Sequence, residues 1–499
     1  MISKILCIGN NSEDTDIKVS ALAKAQSTQN FGLILDPAFV PDLPGYYHSS
    51  IYDLEVGELL KLVKNFNQLV FLDQPKEEWT HPDAFYRSVQ VVKEIEKTTP
   101  VKWQNLSASL DIDFFENLVE TNKSFCIFPF IELLVQNGHT TVCCRSDTKV
   151  TTLPELTNWQ TNPAYKKIRE KMLAGEIVPE HCNTCYLYEA RGMRSARQQE
   201  TIEWANRLNL KTIEDVTNIN TPKYYEVRPN NICNLQCRTC GPSSSNLIEK
   251  EYNKLGWIPS TQTITYENFN FIKLDTLKKL YVAGGEPTAM PELYEFLQNC
   301  IDNNIVDFEF LINTNAVKIN NKLKTLFDKF NNLQFIISID GFKEVNHYVR
   351  WPSDWDSIIN NAHYLQEHNH KIAFNVVVSI WTVSRLHQLL EFIDKEFPKV
   401  VVHATIAESS EELFSPFNFV NKTLFDDLIK ITELNCYRND RLLKSFVDGL
   451  IAQFKQPQSI NKQRLIKFFE FNDKLDQSRN VQLKDYIPEL DSLRKLVYN

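Results

Sequence analysis

From Tyr224 onward, short apolar runs alternate with amphipathic stretches. The apolar runs predict strands near 224–228, 278–283, 307–312, 333–339, 372–378 and 400–406. Between them, Leu293 to Cys300, Leu323 to Phe330 and Ser357 to Glu367 read as helices. Six strands joined by crossover helices imply a parallel sheet. The expected fold is α/β, built on an incomplete (β/α)6 barrel of the TIM type. Functional loops of such a barrel sit at the carboxyl ends of its strands. Upstream, strand-like runs at Lys4 to Gly9 and Leu69 to Leu72, with helical patterns between and after, suggest a small N-terminal α/β domain. Residues 120–200 hold short strands at Ile131 to Val135 and Thr140 to Cys143. A helix from Pro163 to Ala174 follows, with Tyr165, Ile168 and Met172 on one face. The tail from 411 to 499 reads as mostly helical. We therefore expect four regions, 1–115, 116–210, 220–410 and 411–499.

Composition narrows the class. The 499 residues are 43% apolar and 23% charged, as in ordinary globular chains. A formal net charge of −9 gives no general attraction to nucleic acid or anionic lipid, so neither is an expected partner. No run of about 18 apolar residues predicts a membrane span. The first residues lack the apolar length of a signal peptide and run into Glu13, Asp14 and Asp16, so the expected location is cytoplasmic. In a reducing compartment the 11 cysteines are expected to be free or to bind metal. Cys7, Cys300 and Cys436 stand alone. The rest form two groups: Cys126, Cys143, Cys144, Cys182 and Cys185, then Cys233, Cys237 and Cys240.

The second group lies in Val227-Arg-Pro-Asn-Asn-Ile-Cys-Asn-Leu-Gln-Cys-Arg-Thr-Cys-Gly-Pro242, directly after the first barrel strand. Three thiolates on a short loop can hold three irons of a cubic cluster and leave the fourth open to a small molecule. A closed zinc site would want a fourth ligand nearby, and none follows in the loop. The C-x3-C-x2-C spacing resembles the signature of the radical S-adenosylmethionine (radical SAM) superfamily. That resemblance implies an open [4Fe–4S] cluster on Cys233, Cys237 and Cys240 that binds S-adenosylmethionine. Thr239 departs from the pattern, since an aromatic residue commonly precedes the third cysteine.

Further segments fit in order. Gly284-Gly-Glu-Pro287 resembles the family's GGEP motif, whose exposed backbone groups bind the methionine amino group, which implies cofactor contacts at Gly284, Gly285, Glu286 and Pro287. Thr314-Asn-Ala316 resembles a T-N-G turn with alanine for glycine, and Ser338-Ile-Asp-Gly341 an S-x-D-G segment. By the same resemblance Ser338 contacts the ribose or carboxylate of S-adenosylmethionine, and Arg350 pairs with that carboxylate. The bland alternative for Arg350 is a surface salt bridge. Asn375 faces either a ligand or a buried hydrogen bond.

The first group reads Cys126, eleven residues, Gly138, four residues, Cys143, and later Cys182-Asn-Thr-Cys185. Asn137-Gly138 predicts the turn of a β-hairpin whose two strands each carry one cysteine. This resembles the auxiliary-cluster modules called SPASM and twitch, placed here before the barrel rather than after it. The resemblance implies a second [4Fe–4S] cluster on Cys126, Cys143, Cys182 and Cys185. Cys143 is favoured over Cys144 by its spacing from Gly138. A zinc site with four cysteine ligands is the rival reading. Glu189 to Arg197, dense in polar groups, joins module to barrel and faces either substrate or solvent.

The implied activity is reductive cleavage of S-adenosylmethionine and abstraction of a substrate hydrogen, with a peptide or protein as substrate and a flavodoxin or ferredoxin as reductant. The alternatives are a radical SAM enzyme acting on RNA and a zinc-stabilised scaffold on the same barrel. Gly9 marks a plain turn or a ligand-binding one. Pro44 to Tyr52 is aromatic and polar and receives no chemistry. Between 441 and 470 six Lys or Arg stand against two acids, a solvated helix face or else a surface for a partner or leader peptide.

Overall fold

A computed structural model describes residues 5–9, 31–35, 46–50, 68–71, 102–105, 114–146, 148–190, 195–258, 268–407, 412–419, 424–455 and 461–498. The chain divides into two compact units, Met1–Phe114 and Phe115–Asn499.

The first unit holds β1 (Ile5–Gly9), β2 (Phe31–Leu35), β3 (Tyr46–Ser50), β4 (Gln68–Phe71) and β5 (Lys102–Asn105). All pair in parallel, in the order β3-β2-β1-β4-β5. The order runs outward on both sides of β1, as in doubly wound sheets. The two apolar runs singled out in the sequence are its central strands. Gly9 ends β1. The residues after it, and the ends of the 44–52 segment, lie outside the described residues.

The second unit holds β6 (Glu132–Gln136), β7 (His139–Thr141), β8 (Thr151–Thr152), β9 (Tyr224–Arg228), β10 (Gln236–Cys237), β11 (Lys279–Val282), β12 (Glu309–Thr314), β13 (Leu333–Ser338), β14 (Arg350–Trp351), β15 (Lys371–Val378) and β16 (Val401–Ile406). Nine of them form one sheet, ordered β16-β15-β13-β12-β11-β9-β6-β7-β8. The run from β16 to β6 is parallel throughout, and only the β6–β7–β8 edge is antiparallel. The six strands expected from the apolar runs are present, each within two residues of its expected bounds. This mixed α/β unit with a largely parallel sheet is consistent with a partial barrel.

The sequence gives no sign that β6 joins this sheet. It pairs with β9, Leu134 opposite Glu226, so the cysteine-bearing hairpin extends the barrel sheet. The pairing covers the backbone edge that β9 would otherwise expose.

A parallel sheet covered on both faces normally has continuously apolar strands. Here the strands alternate. Tyr225, Val227, Leu280, Phe310, Phe335 and Phe374 are fully buried in the main core. The opposite face carries Glu226, Arg228, Tyr281, Asn313, Ser338 and Asn375 in matching register. That face is left for polar chemistry.

The helix Pro163–Leu173 begins where Asn162 accepts from the Ala164 and Tyr165 amides, with proline in the first turn. Tyr165, Ile168 and Met172 are buried, as their spacing requires. In the tail, Lys462–Arg479 buries Leu465, Phe468 and Phe469 in the main core. Lys444, Lys462 and Lys467 remain on exposed sides. Among the described residues no helix is long and apolar enough to cross a membrane.

Candidate functional site

The three-cysteine loop leaves the carboxyl end of β9 and is fastened along its length. The Cys233 amide donates to Asn246 Oδ1 (3.1 Å), the Asn246 amide to the Asn231 carbonyl (2.7 Å), and Ser245 Oγ to the Leu235 carbonyl (2.7 Å). β10 pairs antiparallel with β14, placing Cys237 opposite Arg350. The Cys237 and Cys240 thiols interact directly. This draws Cys237 down to about 7 and pushes Cys240 up. Cys233 is raised to about 12 by burial, then by the negative potential of Cys237. Arg350 is no surface residue. Its Nη1 donates to Asp340 Oδ2 at 3.0 Å, its Nε is buried with no partner, and Cys237, Asp340 and Cys240 stabilise its charge against burial. The bland expectation of a salt bridge is met in kind but not in place, because the pair is buried beside the thiols. Asp340 is fixed in turn by the Val377 amide (2.9 Å).

The GGEP segment follows β11 and locks onto the loop. The Gly285 amide donates to the Asn230 carbonyl (3.1 Å) and the Glu286 amide to the Ile232 carbonyl (2.6 Å). Gly284 has φ +113°, a conformation open to glycine. A Cβ on Gly285 would lie 2.1 Å from the Ile232 carbonyl oxygen. Pro287 starts a short 3-10 turn. Glu286 is fully buried and spends its carboxylate on protein. Oε1 accepts from the Thr288 amide and from the Thr288 and Thr314 hydroxyls, and Oε2 from the Asn315 amide (2.7 Å). It ties the end of β11 to the Thr314-Asn-Ala turn. There Ala316 adopts φ +53°, the left-handed backbone that glycine takes in the T-N-G form. Asn315 Nδ2 reaches Asn234 Oδ1 in the cysteine loop (2.7 Å). Ser338 ends β13 on the polar face and donates to Asn313 Oδ1 (3.2 Å), and Asn375 lies beside it in register, half-buried.

Sequence reasoning missed the residues beneath the loop. Arg238, between the second and third cysteines, is fully buried. Its Nε donates to the Tyr348 carbonyl (3.0 Å), Nη1 to Asn472 Oδ1 (3.1 Å) and Nη2 to Asp476 Oδ1 (2.6 Å). Its guanidinium also lies 3.7 Å from the centre of the Tyr348 ring. Arg479, farther along the same helix, forks onto Glu251 (3.0 and 2.7 Å) in the helix Asn246–Lys254 that follows the loop. The available signal was Asn472, Asp476 and Arg479 at helical spacing beside buried apolar positions.

The first cysteine group also converges. Cys126, Cys143, Cys182 and Cys185 are all buried and line one pocket, together with Arg145, His181 and Arg197. Cys182 and Cys185 sit three apart on the helix Pro179–Ala190 and so share a face. Asn137 (φ +51°) and Gly138 (φ +74°) form the two-residue turn between β6 and β7, as expected. The cysteines are not on the strands, which corrects that expectation. Cys126 precedes the short helix Phe128–Ile131, and Cys143 lies two residues beyond β7. Strand residues would project to opposite faces, whereas turns let the thiols converge. Cys144 is exposed and outside this lining. Burial pushes the Cys126 and Cys143 thiols well up, and Cys182 to about 12. Cationic iron would offset that penalty, so four buried thiols on one pocket suit an iron–sulfur cluster as a donor set.

Arg197 clamps this site. It donates to the Val119, Asn122 and Phe125 carbonyls just ahead of Cys126, and to both oxygens of Glu189 on the helix bearing Cys182 and Cys185. The ends of the Glu189 to Arg197 segment are thus structural, and 191–194 lie outside the described residues.

Residues 227–393 match the model for the Radical SAM superfamily. No curated protein matches the chain. Among solved structures, Streptococcus suis SuiB bound to S-adenosylmethionine is 16% identical, covering 58% of this chain and 59% of that one, at a TM-score of 0.30. Native anSMEcpe with bound AdoMet is 14% identical, covering 50% and 66%, at 0.31. SuiB bound to its precursor peptide SuiA is 14% identical, covering 66% and 64%, at 0.29. The chain spans less than two thirds of the length of each of these structures. Residues 227–393, which open on the three-cysteine loop, are thus the part of the chain that is similar to the Radical SAM superfamily.

Proposed function

We propose that this protein is a radical SAM enzyme with two [4Fe–4S] sites that modifies a peptide or protein. The observation that carries the reading is the seating of the cysteine loop between the GGEP strand end and Arg350, at the carboxyl ends of the parallel strands. Cys233, Cys237 and Cys240 hold the catalytic cluster. When S-adenosylmethionine is bound, that cluster supplies the electron for its cleavage to the 5′-deoxyadenosyl radical that takes a substrate hydrogen.

The remaining chemistry belongs to the chain. Gly284, Gly285 and Pro287 shape the cradle for S-adenosylmethionine, and Glu286 holds it rigid through its internal hydrogen bonds. Ser338 orients the ribose or carboxylate from the polar face. Arg350 offers the unpartnered Nε to a carboxylate while Asp340 fixes its plane. Cys126, Cys143, Cys182 and Cys185 would hold the second cluster, and a cluster there would supply a sink for the electron left on the substrate or a point of attachment for the substrate. Modules of this type often accompany peptide modification, which supports a peptide or protein substrate. A flavodoxin or ferredoxin serves as reductant.

Anaerobic reconstitution with iron and sulfide, followed by reduction with S-adenosylmethionine, tests the reading. About eight irons per chain and 5′-deoxyadenosine are expected. About four irons would remove the second cluster, and zinc in its place would make that site structural. Absence of 5′-deoxyadenosine would refute the enzymatic reading. Cys237→Ala should abolish cleavage, whereas Cys185→Ala should leave uncoupled cleavage. Stimulation by RNA and not by peptide would redirect the substrate assignment.

A further inference from the structure

We propose that Asn375 and His403, on β15 and β16, form a substrate subsite that binds an amide group of the peptide beside S-adenosylmethionine. The inference rests on the proposed function, since it places that peptide next to the cofactor that Ser338 orients.

Three observations converge on it. First, the residues stand in one row. Ser338 of β13 pairs in register with Asn375, and Asn375 with His403. Register partners point to the same face, so all three lie on the polar face, away from Phe335, Phe374 and Val402 in the core. At about 4.8 Å per strand, Asn375 lies about 5 Å and His403 about 10 Å from Ser338 along the row. Second, the two side chains are open and unspent. Both are half-buried. Ser338 donates to Asn313, whereas among the described residues neither Asn375 nor His403 has a side-chain hydrogen bond. The buried bond that would have made Asn375 structural is therefore not there. Third, the next row on that face, Ile336, Ala373 and Val401, is apolar. The two polar groups stand over an apolar floor.

The chemistry of the pair selects the ligand. A carboxamide offers a carbonyl acceptor and an NH2 donor, and a neutral imidazole one donor and one acceptor. Burial holds His403 below its ordinary value against the opposing pull of Asp440, so the ring is uncharged near neutral pH. Two neutral groups of this kind complement a neutral partner that both donates and accepts, as an amide does. They give no counter-charge to an ammonium or a carboxylate, whose desolvation would then be costly. A few polar groups over an apolar surface are the usual means of orienting a ligand. The row is also reachable. β16 is the edge strand of the sheet, and Val401 and Thr405, which flank His403 on its face, are exposed.

The test uses reconstituted full-length protein with S-adenosylmethionine and no reductant. A displayed library of short random peptides is panned on it, and a selected peptide is synthesised with each amide N-methylated in turn. Fluorescence anisotropy then reads binding. His403→Ala and Asn375→Ala should each weaken the peptide about tenfold, as loss of a hydrogen bond predicts. His403→Gln, which keeps a donor and an acceptor, should recover part of the loss. In the parent, N-methylation of one amide should also cost about tenfold, and in the alanine variants nothing further. A merely distorted site would weaken every peptide alike, without that coupling. Equal binding by all variants, or no amide whose effect vanishes in them, would overturn the inference. So would a parent that forms 5′-deoxyadenosine on reduction yet selects no peptide. A parent that forms none would instead refute the function on which the inference rests.

Discussion

Gly285→Ala isolates the contact on which the site depends. The added Cβ would lie 2.1 Å from the Ile232 carbonyl oxygen, 2.6 Å from the Ile232 carbonyl carbon and 2.7 Å from that of Asn231. All three are backbone atoms, so no rotamer change relieves the clash. Overpacking that side chains can absorb costs about 1–3 kcal/mol. Here the loop must retreat by about an ångström to restore van der Waals distance. Retreat would stretch the bonds from the Glu286 amide to Ile232 (2.6 Å) and from the Gly285 amide to Asn230 (3.1 Å). Each buried group so orphaned adds about 1–3 kcal/mol. We expect a loss of about 3–5 kcal/mol in urea unfolding of the iron-free protein. In the loaded protein, an ångström of misplacement predicts roughly a hundredfold slower formation of 5′-deoxyadenosine. Gly449→Ala is the control. Its Cβ meets nothing within 4 Å in the exposed middle of the helix Arg441–Lys455, so it should stabilise by about 0.5–1 kcal/mol. A Gly285→Ala protein within about 1 kcal/mol of the parent, with full iron content, would refute the claim that the strand end sets the position of the loop.

Asp476→Ala leaves the Arg238 guanidinium buried without its counter-charge and should cost about 3–5 kcal/mol by thermal or urea unfolding. Arg197→Gln releases the segments bearing Cys126 and Cys182, so iron content should fall from about eight toward about four per chain while S-adenosylmethionine cleavage persists. Cys143→Ser should produce the same partial loss of iron, whereas Cys144→Ser should not, because only Cys143 lines the cavity. Glu200 is raised to about 7 by burial and then by Glu203. Between the unfolded value near 4.5 and about 7, the folded state holds a proton that the unfolded state has lost, so this group's contribution to stability falls as pH rises through that window. Glu200→Gln should flatten the decline, by at most about 3 kcal/mol in pH-dependent unfolding.

Local signals carried much of the fold. The parallel strands announced themselves because each apolar run is bounded by polar loops, and the hairpin because Asn137-Gly138 suits a two-residue turn. The cysteine spacings marked out two groups; the four cysteines of the first line one pocket, and Cys237 and Cys240 of the second touch. What stayed hidden is mediated by backbone or by distant side chains. The edge of β9 that receives β6 has no side-chain signature, since any strand can supply the pairing. Glu286 reads as a cofactor contact in its motif, yet its oxygens are taken by Thr288, Thr314 and Asn315.

The partnership of Arg238 with Asn472 and Asp476 spans more than two hundred residues, and its only local trace is polar side chains where a helix should be apolar. That distance has a consequence for assembly. Arg238 lies inside the cysteine loop and is fully buried, so the loop cannot close over it without a large desolvation penalty until Asp476 arrives. The last long helix is therefore needed to seat the first loop of the barrel. A chain ending before 472 would keep all three cysteines and still lack the counter-charge that holds them in place.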